Sequence, residues 1–251
     1  MSNDCVTFVC YKWQGTDPQR QFRSEHVNVL RAMLARNYHA PHRLVCITED
    51  AARLDPRIEV LPMPVTKADR LISPHTTGGK LFPSCYRRLW LFSAEAAALL
   101  PGRIVLIDID VVILGDITRL IQEKTADFVG WSSPTFGWCK IAGGFWAHTT
   151  GTHTDVWDQF DPVTSPKVAF ARGYRGSDQA WLSYMLHPAQ ESWSEKDGII
   201  KINWLQKAGQ TPPPGIKMVF TSGLIGPWNF HLQLGYRWVR EHWCIKEGEA
   251  V

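Results

Sequence analysis

The run Ile104-Val-Leu-Ile-Asp108-Ile-Asp110-Val-Val-Ile-Leu114 is the most hydrophobic stretch of the chain, and two aspartates interrupt it. A core strand has no structural use for them there. In a strand, residues two apart point to the same side with Cα atoms about 6.5 Å apart, so both carboxylates are expected to converge on one site. Uncompensated burial of two like charges costs several kcal/mol per ion, and a bound cation is the simplest compensation. An oxygen-rich donor set suits magnesium or manganese, ions that commonly also hold substrate phosphates. The competing use of an aspartate at a strand end is to cap the next helix or to accept backbone hydrogen bonds. Two at this spacing, each flanked by Ile, Leu or Val, favour the metal or substrate site.

The surrounding pattern alternates strand and helix. Val6-Thr-Phe-Val-Cys-Tyr11 reads as a buried strand. From Ser24 to Asn37, Val27, Leu30, Met33 and Leu34 recur at helical spacing, with Ser24 as the expected N-cap. His42 to Thr48 and Ile58 to Leu61 read as further strands, and strand, helix, strand in this order argues for parallel pairing. A helix is expected from Leu81 or Pro83 to about Leu100, stopped by Pro101-Gly102, after which the strand carrying Asp108 follows at once. The acidic pair is thereby placed near the carboxyl end of a sheet, where open α/β folds bind ligands. Later, Ile141 to Trp146 reads as a strand with close backbone approach at Gly143 and Gly144, Asp178 to Leu186 as a helix opened by Ser177 or Asp178, and Met218 to Phe220 as a strand. No internal repeat occurs.

With 251 residues, 45% of them hydrophobic, the chain fits one large α/β domain. A net charge of +3 suits an anionic ligand but is far below that of a dedicated nucleic-acid binder. Six cysteines without paired spacing, several inside apolar runs, are expected to be buried free thiols in a reducing compartment. There is no run of about 18 apolar residues and no basic-then-apolar leader in Met1-Ser-Asn-Asp, so no transmembrane segment and a cytoplasmic location are expected. Most of the twelve tryptophans are expected in the core, with one or two free to stack on a sugar or a base.

Several of these segments, in register, resemble the nucleotide-diphospho-sugar transferases of the GT-A fold, especially family 8 of the glycosyltransferases, which includes glycogenin and lipopolysaccharide galactosyltransferases. Tyr86-Arg-Arg-Leu89 resembles the family's aromatic-Arg-Leu helix, Asp108-Ile-Asp110 its Asp-x-Asp motif, and Gly115-Asp-Ile117 the segment after it. Ala142-Gly-Gly144-Phe resembles the strand lining the sugar pocket, Ser177-Asp-Gln179 the Asp-Gln helix start, and Gly223-Leu-Ile-Gly-Pro-Trp228 a worn Gly-x-x-Lys-Pro-Trp segment. Three positions depart from the pattern: Phe220-Thr-Ser222 stands where a metal-binding His is expected, Gly226 where a phosphate-binding Lys is expected, and Ala142 where an Asn is expected.

The resemblance implies a mainly parallel, Rossmann-like sheet flanked by helices, with a nucleotide-binding half (1–125) and a Trp-rich sugar and acceptor half (126–251). It implies a metal-dependent hexosyltransferase using a nucleotide-diphosphate sugar, with UDP as the nucleotide, and retention of configuration. Asp110 is implied as the fuller chelator of manganese or magnesium and Asp108 as a ligand that also meets the ribose. His231, shortly downstream, is a candidate for the missing metal ligand, with simple packing as its alternative. Lys80 and Arg88, the latter preferred over Arg87, are candidates for the phosphates. Tyr11 is placed to stack on the base or to pack in the core, and Gly143 and Gly144 to line the sugar pocket. Asp178 and Gln179 are candidates for orienting the sugar or stabilising an oxocarbenium-like transition state, against an ordinary N-cap role for Asp178.

A nucleotidyltransferase on the same sheet would want a Gly-, Arg- and Lys-rich loop after the first strand, and Lys12-Trp-Gln-Gly-Thr-Asp-Pro18 lacks that signature. A non-catalytic nucleotide-sugar-binding module is the second alternative, given the worn C-terminal segment. The acceptor is a glycan or lipid-linked sugar, or a modified base in DNA, the last motivated by Lys67, Arg70, Arg172 and Arg175 in loop-like stretches.

Overall fold

A seven-stranded sheet runs through both halves of the chain, in the order β3-β2-β1-β4-β7-β6-β8. Its strands are β1 (Val6–Lys12), β2 (His42–Thr48), β3 (Glu59–Pro62), β4 (Arg103–Ile107), β6 (Phe128–Trp131), β7 (Phe145–Thr149) and β8 (Glu191–Trp193). A smaller sheet, β5-β10-β9, joins β5 (Val111–Ile113), β10 (Met218–Phe220) and β9 (Ile199–Lys201). The structure is a computed structural model and describes residues 5–13, 22–70, 85–132, 137–205, 209–221 and 226–249. Among these residues no helix is long and apolar enough to cross a membrane.

The first three strands and β4 are parallel, as the strand-helix-strand order predicts, while β7 pairs antiparallel with both β4 and β6. Strand periodicity sorts the core into two layers. Phe8, Cys10, Leu44, Cys46, Val105 and Ile107 face one layer, which is closed by Val27, Leu30, Met33 and Leu34 of helix α1 (Ser24–Asn37). Val9, Tyr11, Val45, Ile47, Ile104 and Leu106 face the other, beneath Tyr86, Leu89, Trp90 and Phe92. Each such large apolar side chain contributes about 1.5–3 kcal/mol when fully buried. Trp90, Trp131, Trp146 and Trp193 are buried as expected, whereas Trp138 is 59% exposed. All six cysteines are free thiols; Cys10, Cys46 and Cys139 are buried and Cys5 is exposed.

Four local expectations are corrected. The helix expected up to Leu100 is broken: Cys85–Phe92 forms a 3-10 helix, and helix α2 (Ala94–Leu99) restarts at Ser93, whose hydroxyl accepts the Ala96 N–H. A capping serine offers the backbone an alternative partner and so ends one helical run while opening the next. Ser24 is not the N-cap of α1; Arg23 is, and the Ser24 hydroxyl donates to the Ala52 carbonyl instead. Gly143 and Gly144 lie in the turn before β7 rather than within a strand. Finally, Asp108 and Asp110 do not alternate along one strand, because β4 ends at Ile107 and the chain turns through residues 108–110 before entering β5 of the smaller sheet. The helical turn expected at Asp116 to Glu123 appears as α3 (Thr118–Gln122), and the short helices α4 (Asp155–Asp158) and α5 (Ser165–Ala171) precede α6 (Asp178–Leu186).

Candidate active site

The turn between β4 and β5 sits at the carboxyl edge of the parallel strands and is held from two sides. The Asp108 N–H donates to the Gly144 carbonyl at 2.8 Å, and the Asp110 carbonyl accepts from the Thr221 N–H at 3.1 Å and the Thr221 hydroxyl at 2.8 Å. Ile109 between them is 1% exposed and packs into the core. The two carboxylates therefore converge on one cavity of about 230 Å³, also lined by Arg88, Gly143, Gly144, Asp178, Gln179 and Lys201.

Arg88 organises this cavity. The 3-10 helix turns its side chain inward between two acids, and the guanidinium donates to Asp108 Oδ1 at 2.5 Å and to Asp178 Oδ2 at 3.3 Å. Asp178, in the first turn of α6, is 1% exposed, and its Oδ1 accepts from the Ser177 hydroxyl at 2.9 Å. Burial works against the charge on Arg88, but the neighbouring carboxylates, Asp108 foremost and then Asp178, outweigh it and raise its pKa, so it stays cationic. Its Nε is buried without a hydrogen-bond partner among the described residues. Cys85 also lines the cavity, and burial pushes its thiol up to about 11, which keeps it neutral and poorly nucleophilic.

The acidic pair is electrostatically unsatisfied. Burial and then the neighbouring Asp108 push the Asp110 carboxyl up to about 8. Burial also raises Asp108, opposed by Arg88. A divalent cation reverses both effects, and the all-oxygen donor set fits magnesium or manganese. Among the described residues no third His, Cys, Asp or Glu joins the pair to complete a metal cluster. His231, on helix α7 (Phe230–Gly235), is exposed and absent from the cavity wall; its backbone N–H bonds the capping Asn229 side chain.

The glycines permit the close approach. A Cβ on Gly143 would lie 2.7 Å from Asp178 Oδ1, and one on Gly144 would collide with the Asp108 carboxylate. Gln179 stands half-buried on the wall. Lys80 lies outside the described residues. Tyr11 is 4% exposed, with its ring in the core and its hydroxyl donating to the Arg87 carbonyl at 3.4 Å.

Two residues play parts that the sequence did not reveal. Trp13 has the Arg88 guanidinium 5.5 Å from its ring centroid and also lines a second cavity of about 390 Å³ with Lys12, Arg23, Asp50 and Arg53. It thus links the acidic cavity to the groove beside the start of α1. Lys201 enters the first cavity only because β9 pairs with β10, a contact no local pattern announces.

No protein-family model matches the chain, and neither does any curated protein. Among solved structures it is similar to the galactosyltransferase LgtC in complex with donor and acceptor sugar analogs, with a TM-score of 0.58 and 12% identity over 97% of this chain and 98% of that one. At this identity the likeness concerns architecture, and the chain has the GT-A fold.

Proposed function

We propose that this protein is a glycosyltransferase that moves a hexose from a nucleotide-diphosphate sugar, with UDP as the preferred nucleotide, to a glycan or lipid-linked acceptor. The observation that carries the reading is the Asp108–Asp110 turn opening into one cavity with Arg88, Asp178 and Gln179 at the carboxyl edge of a GT-A sheet. Asp108 and Asp110 would hold a manganese or magnesium ion, which when bound would supply Lewis-acid neutralisation of charge on the departing diphosphate. The nucleoside occupies the neighbouring cavity walled by Trp13 and Lys12, and the sugar lies against Gly143 and Gly144.

Arg88 orients Asp108 and Asp178 and offers its unpaired Nε to the donor. Asp178, anchored by Arg88 and Ser177, and Gln179 present hydrogen-bonding groups to the sugar hydroxyls, which fixes the reacting carbon for attack. Retention of configuration is the stereochemical outcome we assign, supported by the resemblance of these segments to family 8. A DNA acceptor is not favoured: Lys67 donates to the Trp157 carbonyl at 2.6 Å, and Arg175 lies 4.0 Å from the Trp138 ring, so these cations are engaged within the protein.

The test is release of nucleoside diphosphate from a panel of nucleotide sugars with manganese, for the wild type and Asp110→Ala. Turnover by the wild type and none by the variant is expected. Absence of release with every donor, together with no manganese-dependent thermal shift, would leave a binding module on a GT-A scaffold.

A further inference from the structure

Trp90, Trp131, Trp146 and Trp193 are sealed in the core, but Trp138, in the turn before β7, keeps 59% of its surface exposed. Its ring is nevertheless held. The Arg175 guanidinium lies 4.0 Å from the ring centroid, and the Arg175 N–H donates to the Trp138 carbonyl at 3.2 Å. The same guanidinium lies 5.4 Å from the Phe170 ring centroid, so it is itself steadied by a second ring. Beside it the Cys139 thiol donates to the Arg175 carbonyl at 2.8 Å, which joins the turn before β7 to the turn between α5 and α6. With the guanidinium over one face of the indole, this exposure leaves the opposite face open to solvent.

This joint lies at the rim of the acidic cavity, because both turns run into its wall: Ala142, Gly143 and Gly144 follow Trp138, and Ser177, Asp178 and Gln179 follow Arg175. Four residues span at most about 14 Å and two at most about 7 Å. Burial pushes the Cys139 thiol up to about 11, and the charges of Asp178 and Lys201, both on the cavity wall, also reach it. Resting on the glycosyltransferase reading above, we propose that Trp138 is an outer acceptor subsite, on which the second unit of an oligosaccharide stacks while its terminal unit enters the cavity. The acceptor is then a saccharide chain of at least two units rather than a free monosaccharide. One face of a pyranose ring presents C–H bonds, and their slightly positive hydrogens suit the electron-rich face of an indole. A ring already pinned by Arg175 loses little freedom when a ligand settles on it. Size also favours a sugar: an indole offers at most about 150–250 Å², against about 800 Å² per partner in a stable protein interface.

The probe is an array of mono-, di- and trisaccharides of glucose, galactose, mannose and N-acetylglucosamine, followed by calorimetry on the best-bound series. Full-chain wild type, Trp138→Ala and Trp138→Phe are compared in manganese and UDP, with folding checked by circular dichroism. The wild type is expected to bind a di- or trisaccharide about tenfold or more tighter than the monosaccharide of the same series. Trp138→Ala should reduce that advantage to within about threefold and leave monosaccharide affinity unchanged, whereas Trp138→Phe should keep most of it, since an aromatic face remains. Affinity that does not rise with chain length in the wild type, or that rises equally in Trp138→Ala, overturns the assignment. So does a wild type that binds no saccharide and forms a dimer lost in Trp138→Ala, which would make the ring a contact between copies, or one that binds no saccharide at all. Nucleoside diphosphate release from the donor panel is read on the wild type without these variants, so the glycosyltransferase reading stands or falls separately.

Discussion

The Asp108 carboxylate occupies the space into which a Cβ on Gly144 would project, while the Asp108 N–H donates to the Gly144 carbonyl at 2.8 Å. The two residues thus set each other's position through both backbone and side chain, and no side chain fits on the glycine without moving an acid of the pair. Gly144→Ala is expected to destabilise the protein by about 1–3 kcal/mol, the usual range for overpacking, and to abolish the thermal stabilisation by manganese. Gly143→Ala should act in the same direction through Asp178. Gly115→Ala, with nothing within 4 Å of the added carbon, is the control and should leave both quantities unchanged. Thermal unfolding with and without manganese measures all three.

The acidic pair makes the metal-free protein sensitive to pH. The folded-state carboxyl of Asp110 is raised to about 8, against about 3.9 for an unperturbed aspartate. Between these values the unfolded chain has released the proton and the folded chain retains it, so stability falls as pH rises across the window and is not lost further above it. Asp110→Asn removes this term. Its melting temperature should exceed that of the metal-free wild type at pH 8, and the difference should vanish below pH 4. Adding manganese at pH 8 should raise the melting temperature of the wild type only. A variant that melts below wild type at pH 8 would contradict the electrostatic account.

Arg88 is coupled to two acids of unequal burial on the same cavity wall, the Asp108 side chain 25% exposed and that of Asp178 2%. Removing the cation leaves an uncompensated buried charge, so Arg88→Met is expected to destabilise by about 3–5 kcal/mol. Much of that loss should be recovered in the double variant Arg88→Met, Asp178→Asn, because the stranded acid is then neutral. Arg88→Lys should be intermediate, since an ammonium cannot present two parallel donors to two carboxylates. Chemical denaturation of wild type, Arg88→Met, Asp178→Asn and the double variant gives the coupling directly; strict additivity would mean that the guanidinium and Asp178 do not act as a pair.

Much of this arrangement could be read from local pattern, and where reading failed the cause was non-local. Periodicity placed α1, β2 and β10, and two acids within an apolar run marked the site. Their convergence, however, comes from a turn between two sheets clamped by Gly144 and Thr221 rather than from strand alternation. The helical spacing of Tyr86, Leu89 and Trp90 was visible, but the serine that splits the segment weighed less in the pattern than its apolar neighbours. Lys201 was invisible because its place depends on which strand β9 pairs with. His231 illustrates the converse: proximity in sequence to the worn C-terminal segment suggested a ligand, and the structure puts it on an exposed helix start.

In the proposed function the nucleoside is assigned to Trp13 rather than to Tyr11, because Trp13 lines the cavity beside the start of α1. Both belong to the same buried cluster, on the same side and two residues apart, with Tyr11 4% and Trp13 8% exposed, but Tyr11 lies within β1 whereas Trp13 is past it and borders the groove. The Arg88 guanidinium lies 5.5 Å from the Trp13 ring centroid, so loss of Trp13 removes a cation–π contact as well as the wall proposed for the base. Base-aromatic stacking is worth about 1–3 kcal/mol; Trp13→Ala is accordingly expected to weaken the nucleoside diphosphate released from the preferred donor by about tenfold or more. Pyrophosphate affinity in manganese should remain close to wild type, because the phosphate contacts lie elsewhere. Tyr11→Phe, which removes only a long hydrogen bond to the Arg87 carbonyl, should change neither value. Titration of both ligands into the two variants separates these outcomes, and a larger loss from Tyr11→Phe than from Trp13→Ala would return the base to the strand edge.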